Sequence, residues 1–200
     1  MLKRGFDLLC AAAGVLLLSP LLLGIAVWIK LDSPGPVFFR QPRVGRGGAL
    51  FRIHKFRTMR AALKTDAPGL LITVGDDARI TRAGRFLRRT RLDELPQLFD
   101  VLAGTMSLVG PRPEVPRYVA LYPPALRDKL LSVRPGITDP VSLEYRDEAA
   151  LLAQAADPER VYIEQIMPAK LRLSAQHIDR MSLLNDVRVI GATVRTLWWR

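Results

Sequence analysis

Two adjacent carboxylates, Asp93 and Glu94, are the only acidic side chains in residues 78–99. Six arginines lie in the same stretch, at positions 79, 82, 85, 88, 89 and 91. Cations and main-chain amides at a helix N-terminus bind phosphate, and a carboxylate among them would hold the metal ion that accompanies the phosphate. The simpler alternative is that both carboxylates favour the helix dipole and pair with neighbouring arginines.

A second basic stretch precedes this one. Residues 40–60 contain seven lysines and arginines, including Lys55 and Arg57, and no acid. Over the whole chain, 30 basic residues against 19 acidic ones give a formal net charge of +11. The charge therefore favours an anionic partner, namely nucleic acid, a phosphorylated metabolite or a lipid headgroup.

The composition argues against several other kinds of site. With a single cysteine, Cys10, the chain forms neither an internal disulfide nor a thiolate metal cluster. Its only histidines, His54 and His177, are too few for a His-rich zinc site. Two hundred residues, 49% of them apolar, suffice for one packed domain.

The N-terminal part of the chain holds a long apolar run, residues 8–29, without a charge. A straight helix of this run would be roughly 33 Å long, close to the hydrocarbon thickness of a bilayer. The run is longer than the apolar region of a cleaved signal peptide, and Lys30-Leu31-Asp32 stands where a small-residue cleavage site would be needed. We therefore expect a membrane segment, with a buried helix of a soluble domain as the alternative.

Ser19-Pro20 lies in the middle of this run. The proline removes one helical hydrogen bond, and the adjacent Ser19 hydroxyl is placed to satisfy the freed carbonyl. Basic residues flank the run on both sides, so the positive-inside rule gives no direction for a crossing. Two paths are open at this point: a kinked span, and a re-entrant segment that returns to the face it entered.

The elements around the carboxylates follow from local patterns. Residues 37–41 and 50–56 flank Gly45-Arg46-Gly47-Gly48, which predicts a β-hairpin. Thr81 is expected to cap a helix through Leu87. A second helix is expected to begin near Leu92–Pro96, because proline is tolerated in a first turn.

The C-terminal half is helical in pattern over residues 147–156 and 158–183. Residues 183–199 predict an amphipathic helix that either lies in the membrane interface or packs on the core. We expect the fold class to be α+β and mainly helical, with a membrane segment at residues 1–32 and one further domain at residues 33–200.

Two longer motifs surround the carboxylates, Arg88-Arg89-Thr90-Arg91-Leu92-Asp93-Glu94-Leu95-Pro96-Gln97-Leu98 and Met106-Ser107-Leu108-Val109-Gly110-Pro111-Arg112-Pro113. Together they resemble the bacterial sugar transferases, which are monotopic polyprenyl-phosphate phosphoglycosyl transferases. Four further segments are similar to family motifs in the same order: Ser19-Pro20, Lys55–Met59, Arg134–Thr138 and Ser142–Arg146. The resemblance therefore runs along nearly the whole chain.

The resemblance implies a reaction. The family transfers a sugar-1-phosphate from a nucleotide diphosphate sugar, usually UDP-linked, to undecaprenyl phosphate and releases UMP, as the first membrane step of exopolysaccharide, lipopolysaccharide or glycoprotein glycan synthesis. Asp93 is then expected to attack the β-phosphorus and form a covalent phosphosugar–aspartyl intermediate. Glu94 is expected to position groups or assist proton transfer. Mg²⁺ is the implied cofactor, with Asp93 as a metal contact.

The resemblance also assigns four cations and two prolines to substrate and phosphate binding: Arg88, Arg112, Lys55, Arg57, Pro111 and Pro113. Arg88 and Arg112 are the expected phosphate contacts, and the two prolines hold Arg112 rigid between them. Lys55 and Arg57 are expected either to shape the site or to meet lipid headgroups. Asp139 departs from the family pattern, in which many members have glycine, so uridine and sugar contacts at this position are not implied.

The family's membrane segment is a re-entrant helix-break-helix, which favours the second of the two paths at Ser19-Pro20. The implied location is the bacterial inner membrane, with the domain facing the cytoplasm. The implied partners are a UDP-sugar, undecaprenyl phosphate, membrane lipid and, for a homodimer, a second copy of the chain. We expect the short form of the family, a catalytic unit without additional transmembrane helices.

A competing hypothesis is a membrane-tethered basic protein that binds nucleic acid or anionic lipid without catalysis. The arginines of residues 79–91 are not interleaved with stacking aromatic residues, since Phe86 is the only one among them. Neither form of this hypothesis explains an acidic pair inside a basic stretch. We therefore predict an enzyme that has no nucleic-acid partner.

Overall fold

The computed structural model describes residues 2–60, 77–145 and 148–198. Within these ranges the protein is mainly helical and has two small two-stranded sheets, in agreement with the expected α+β class. The helices are α1 (Leu2–Asp32), α2 (Arg82–Thr90), α3 (Gln97–Ala103), α4 (Pro116–Val119), α5 (Pro124–Leu131), α6 (Pro140–Glu144), α7 (Glu148–Ala153), α8 (Pro158–Val161), α9 (Met167–Asp179) and α10 (Leu183–Trp198). The strands are β1 (Phe38–Val44), β2 (Leu50–Phe56), β3 (Ser107–Val109) and β4 (Gly136–Thr138).

Helix α1 is long and apolar enough to cross a membrane. Helical structure continues through Pro20, so an interruption at this point is not observed and the re-entrant path stays a prediction. Pro20 lacks the N–H that would bind the carbonyl of Leu16, four residues earlier. The Ser19 hydroxyl donates a hydrogen bond to that carbonyl oxygen at 2.8 Å, which is the compensation expected from the sequence.

Both halves of α1 pack on the rest of the protein. In the N-terminal half, Ala11 belongs to a buried cluster with Leu98 of α3, and in the C-terminal half Ile25 and Ile29 share a cluster with Leu87 of α2. The opposite side of α1 exposes large apolar residues, among them Leu9, Leu16, Leu17, Leu23 and Val27. Only 17% of the most apolar window of α1 is buried, so its outer surface requires an apolar surrounding such as lipid.

Polar contacts fasten both ends of α1 to the same domain. Near its start, Lys3 forms an ion pair of 2.5 Å with the buried Asp186 of α10. The buried carboxylate of Asp7 accepts a hydrogen bond of 2.8 Å from the Ser107 hydroxyl. At its end, Asp32 accepts a hydrogen bond of 3.0 Å from the main-chain N–H of Ala83. The two ends of α1 are therefore held by one body.

Strands β1 and β2 form the expected antiparallel hairpin, with Phe38 opposite Phe56 and Val44 opposite Leu50. Its turn contains Gly47, whose φ of 67° lies in the left-handed region that favours glycine. Strand β2 has the predicted bounds, whereas β1 ends at Val44 and not at Gln41, because its pairing with β2 continues to Leu50.

Strands β3 and β4 form a parallel pair that joins two distant motifs. The two glycines next to these strands meet so closely that a Cβ on Gly136 would lie 2.1 Å from the main-chain nitrogen of Gly110. Gly136 in turn donates a main-chain hydrogen bond of 3.0 Å to the carbonyl of Pro111. This contact sets the course of the segment that carries Arg112.

The predicted C-terminal helices are present with changed bounds. A five-residue π-helical segment, Tyr162–Ile166, joins α8 to α9, so the helical run begun at Pro158 ends at Asp179, four residues before its predicted end. Helix α10 buries Val189 in the protein but leaves Leu184 and Val187 exposed. It therefore packs on the core with one side and presents apolar residues on another.

Gly84 is expected to be irreplaceable, since a Cβ at this position would lie 1.9 Å from the main-chain oxygen of Thr58. Gly84→Ala should lower the free energy of unfolding by about 3 kcal/mol, because main chain cannot yield as a side chain does. Gly191→Ala in α10 is the matched control, as its Cβ would meet nothing within 4 Å. The control should gain about 0.5–1 kcal/mol. Thermal unfolding followed by circular dichroism in detergent compares the two, and equal transition temperatures would contradict the expectation.

Candidate functional site

Asp93 and Glu94 lie on a tight turn between two helices. Residues Leu92–Glu94 form a 3₁₀ turn, and α3 begins only at Gln97, later than the sequence predicted. Arg91 links α2 to this turn with a φ of 54°, in the left-handed region that non-glycine residues seldom adopt. The carboxylates therefore lie on a 3₁₀ turn between α2 and α3 instead of in the first turn of an α-helix.

Glu94 is buried between two cations from different parts of the chain. Its Oε1 accepts hydrogen bonds from Lys55 Nζ of β2 at 2.7 Å and from an Arg112 guanidinium nitrogen at 2.6 Å. Burial opposes ionisation of Glu94, but Arg112 and Lys55 hold its pKa well below the usual value. Glu94 in turn raises the pKa of Arg112. The three side chains form one ionised unit.

Asp93, by contrast, has no hydrogen bond or ion pair to any side chain in the described part of the chain. Burial, and next to it the charge of Glu94, raise the pKa of Asp93 to about 6. Lys55 and Arg88 act in the opposite direction. The alternative in which both carboxylates only pair with neighbouring cations thus describes Glu94 and leaves Asp93 unexplained.

Arg88 adds an unsatisfied donor to this site. It belongs to the last turn of α2, and its charge favours the ionised form of Asp93. One of its terminal guanidinium nitrogens is buried and has no hydrogen-bond partner among the described residues. A buried donor without a partner is costly, and a bound phosphate oxygen would satisfy it.

The segment that carries Arg112 is held from both sides. Pro111 and Pro113 are both buried, and the carbonyl of Pro113 accepts a hydrogen bond of 3.1 Å from Arg43. Arg43 also pairs with Glu114 at 3.0 Å, and Glu114 accepts a hydrogen bond of 2.8 Å from the Tyr162 hydroxyl. The sequence offered no sign that Arg43, Glu114 and Tyr162 support the site, because they are far apart in the chain.

The structure does not bring Arg57 to the carboxylates. The Arg57 side chain is buried, and it donates hydrogen bonds to the carbonyl oxygens of Ser33, at 2.8 Å, and Pro34. These carbonyls belong to the segment that leaves α1. Of the two expected roles, the position of Arg57 fits that of shaping the structure around the site.

Two further side-chain contacts near the site were not predicted from the sequence. His54, next to Lys55, donates its main-chain N–H to Asp100 at 2.8 Å, and its ring Nδ1 lies 2.7 Å from the other oxygen of that carboxylate. This pair fastens α3 to β2 beside the site. Asp139 caps α6 by accepting hydrogen bonds from the main chain and the hydroxyl of Ser142 at 3.0 and 2.6 Å. The buried Asp139 therefore has a structural use as the N-cap of α6.

A small cavity of about 160 Å³ opens beside Glu94. Its walls are mainly apolar and include Leu95, Leu98, Ile137 and Leu143. Thr138 and Thr193 also line it, and their hydroxyl groups bind each other at 2.7 Å. The charged side of the site thus borders an apolar one.

A carboxylate at this site would suit Mg²⁺ if substrate phosphates supplied the other ligands. No group of three or more His, Cys, Asp or Glu side chains within the described ranges could enclose a metal ion. Mg²⁺ is commonly held by one or two carboxylates together with substrate phosphates and water. Asp93, whose carboxylate forms no ion pair with a lysine or arginine among the described residues, fits such a contact, while Glu94 already binds Lys55 and Arg112.

Comparison with known proteins gives a consistent result. Residues 1–200 match the family model described as Bacterial sugar transferase. The chain is 40% identical over 198 residues to the UDP-N-acetylgalactosamine-undecaprenyl-phosphate N-acetylgalactosaminephosphotransferase of Aeromonas hydrophila, covering 98% of this chain and 43% of that protein. It is 38% identical over 206 residues to the UDP-glucose:undecaprenyl-phosphate glucose-1-phosphate transferase of Caulobacter vibrioides. This match covers 98% of this chain and 69% of that protein.

A third relative is the exopolysaccharide production protein PSS of Rhizobium leguminosarum bv. phaseoli, 53% identical over 112 residues, which are 56% of either chain. The chain spans less than two thirds of the Aeromonas and Rhizobium relatives.

The charges around Asp93 predict opposite effects of two substitutions. Glu94→Gln should lower the pKa of Asp93 from about 6, because it removes the negative neighbour that raises this pKa. Lys55→Gln should raise the pKa of Asp93, because it removes a cation that favours ionisation. The carboxyl ¹³C resonance of Asp93, assigned by its loss in Asp93→Asn, can be titrated in each variant. Equal pKa values in the two variants would refute this account of the site.

Proposed function

Since the chain belongs to the bacterial sugar transferase family, we propose that it transfers a sugar-1-phosphate from a UDP-sugar to undecaprenyl phosphate. The observation that carries the proposal is the unequal state of the two carboxylates. Glu94 is neutralised by Lys55 and Arg112, whereas Asp93 forms no ion pair with the described residues and lies beside Arg88, which has a buried donor without a partner among them. The names of the Aeromonas and Caulobacter relatives support this donor and acceptor.

In the first proposed step, a carboxylate oxygen of Asp93 attacks the β-phosphorus of the UDP-sugar. A bond forms between this oxygen and phosphorus, and the bond from phosphorus to the bridging oxygen breaks, so that UMP leaves with the electron pair. The sugar phosphate is then held on Asp93 as an acyl phosphodiester. A nucleophile that no lysine or arginine of the described residues holds in an ion pair is suited to this step, since such a pair would have to be broken before attack.

In the second step, an oxygen of undecaprenyl phosphate attacks the same phosphorus and releases the Asp93 carboxylate. The product is the sugar linked to the lipid through a diphosphate. Two displacements allow the soluble donor and the membrane-bound acceptor to use one site in turn. The mainly apolar cavity beside Glu94 is compatible with a lipid-linked acceptor.

Cationic groups are required because phosphates repel each other and the carboxylate. Arg88 and Arg112 are placed to bind phosphate oxygens, and Lys55 keeps Glu94 ionised and in position. Mg²⁺, when bound through Asp93 and the substrate phosphates, would neutralise charge on the diphosphate. We assign to Glu94 the role of orienting Arg112.

We further propose that α1 enters the membrane from the side of the domain and returns to it. Lys3 and Asp32, at opposite ends of α1, are both bound to the domain. A straight crossing would carry one of these contacts to the other side of the bilayer. We propose that the domain lies at the cytoplasmic face, because UDP-sugars are made there. We also propose a place in surface glycan synthesis, in keeping with the name of the Rhizobium relative.

Mass spectrometry of the purified protein tests the covalent step. The full chain in detergent, incubated with Mg²⁺ and a panel of UDP-sugars but without lipid, should gain the mass of one sugar phosphate. Asp93→Asn should gain none, because an amide is not a competent nucleophile for this step. Adduct formation should slow below pH about 6, where Asp93 is protonated. An adduct that persists in Asp93→Asn would overturn the assignment of the nucleophile.

Labelling with a membrane-impermeant maleimide tests the path of α1. In a Cys10→Ser background, a cysteine at Leu2 should react only after the inner membrane is opened, because the start of α1 is held by the domain. A cysteine at the exposed Asp128 of α5 marks the side of the domain. Reaction at position 2 in intact spheroplasts, with position 128 protected, would show a span and contradict the proposal.

A further inference from the structure

A second cavity, of about 460 Å³, lies outside the carboxylate site, between α6, α9 and α10. Three basic side chains line it, namely His177, Arg180 and Arg188. The side-chain amides of Gln176 and Asn185 line it as well. This set of donors is typical of a site that binds an oxyanion.

The cationic side chains of this cavity differ from the Asn185 amide, which already donates a hydrogen bond of 2.7 Å to the main-chain carbonyl of Arg180. Neither the Arg180 nor the Arg188 guanidinium has a hydrogen bond or an ion pair within the described residues, and His177 Nε2 is buried without a partner. Glu144 also lines the cavity, but no ion pair joins it to either arginine in this part of the structure. The cavity therefore carries a net positive charge and free donors, which a bound anion would use.

The position of α10 relates this cavity to the membrane. Successive helical residues are about 100° apart, so Arg188 lies between the exposed residues Leu184 and Val187 on one side and the cavity on the other. Asp186 of the same helix binds Lys3 at the start of α1. Helix α10 is therefore held against the beginning of the apolar helix α1. Apolar residues beside arginines are typical of a helix in the membrane interface.

From this arrangement we propose that the cavity binds the phosphate of an anionic lipid, with Arg188 at its membrane side and Arg180, His177 and Asn185 around the headgroup. The lipid chains would lie along the exposed apolar residues of α10. The bound lipid would hold α10 in the interface and so help to fix the height of the domain above the membrane. The proposal goes beyond the transfer reaction and depends only on α10 facing the bilayer.

Native mass spectrometry of the full chain in detergent, titrated with dioleoyl phosphatidylglycerol, tests the site. Asp93→Asn is used throughout so that no transfer accompanies binding. Arg188→Gln and Arg180→Gln should each weaken lipid binding about tenfold, since a charge-assisted hydrogen bond is lost. Arg195→Gln is the matched control, because Arg195 is also exposed on α10, two turns from Arg188, but does not line the cavity. It should bind within twofold of the parent protein.

Equal weakening by Arg188→Gln and Arg195→Gln would show a general surface charge effect and overturn the site, as would unchanged binding in both cavity variants. Inorganic phosphate should not displace the lipid at millimolar concentration, and displacement would show that the cavity takes a soluble anion. UMP release by the same variants with Asp93 restored is measured separately. A failure of the transferase proposal appears only in that assay, whereas a failure of the lipid site appears only in the titration.

Discussion

The ion triad of Glu94, Lys55 and Arg112 is the interaction on which the rest of the site depends. A buried carboxylate is tolerated only when cations neutralise it, and here one comes from β2 and one from the segment after β3. Removing one partner of such a buried group typically costs about 3–5 kcal/mol, since a charge is left without compensation. The hairpin, the turn between α2 and α3, and the β3–β4 pair must therefore keep their relative positions for the triad to exist.

The triad also explains how two adjacent carboxylates take different roles. Because Glu94 occupies Lys55 and Arg112, Asp93 is left in a partly buried position beside a negative neighbour, and its pKa rises to about 6. An acid with this pKa is largely ionised at neutral pH, and yet Asp93 forms no ion pair with a lysine or arginine in the described part of the chain. In the proposed attack on phosphorus, such a carboxylate does not first have to break an ion pair, whereas the carboxylate of Glu94 would have to.

Helix α1 takes part in the same architecture. Its two halves pack on α3 and α2, the helices on either side of the carboxylate turn, so the apolar helix and the site support each other. The polar contacts of Lys3, Asp7 and Asp32 hold the ends of this helix on the domain. The apolar outer surface of α1 makes no such contacts with the described residues. The protein does not cover the exposed apolar side of α1, and a membrane would supply the apolar surrounding for it.

The sequence by itself determined the apolar helix, the hairpin, the Thr81 cap and the acidic pair in a basic stretch, since each depends on neighbouring residues. It also contained the family motifs in order. Only the tertiary structure decided which cations meet Glu94, that Arg57 turns away towards Ser33, and that Asp139 caps α6. These contacts join residues far apart in the chain, and they depend on strand register and helix packing, which no local pattern specifies.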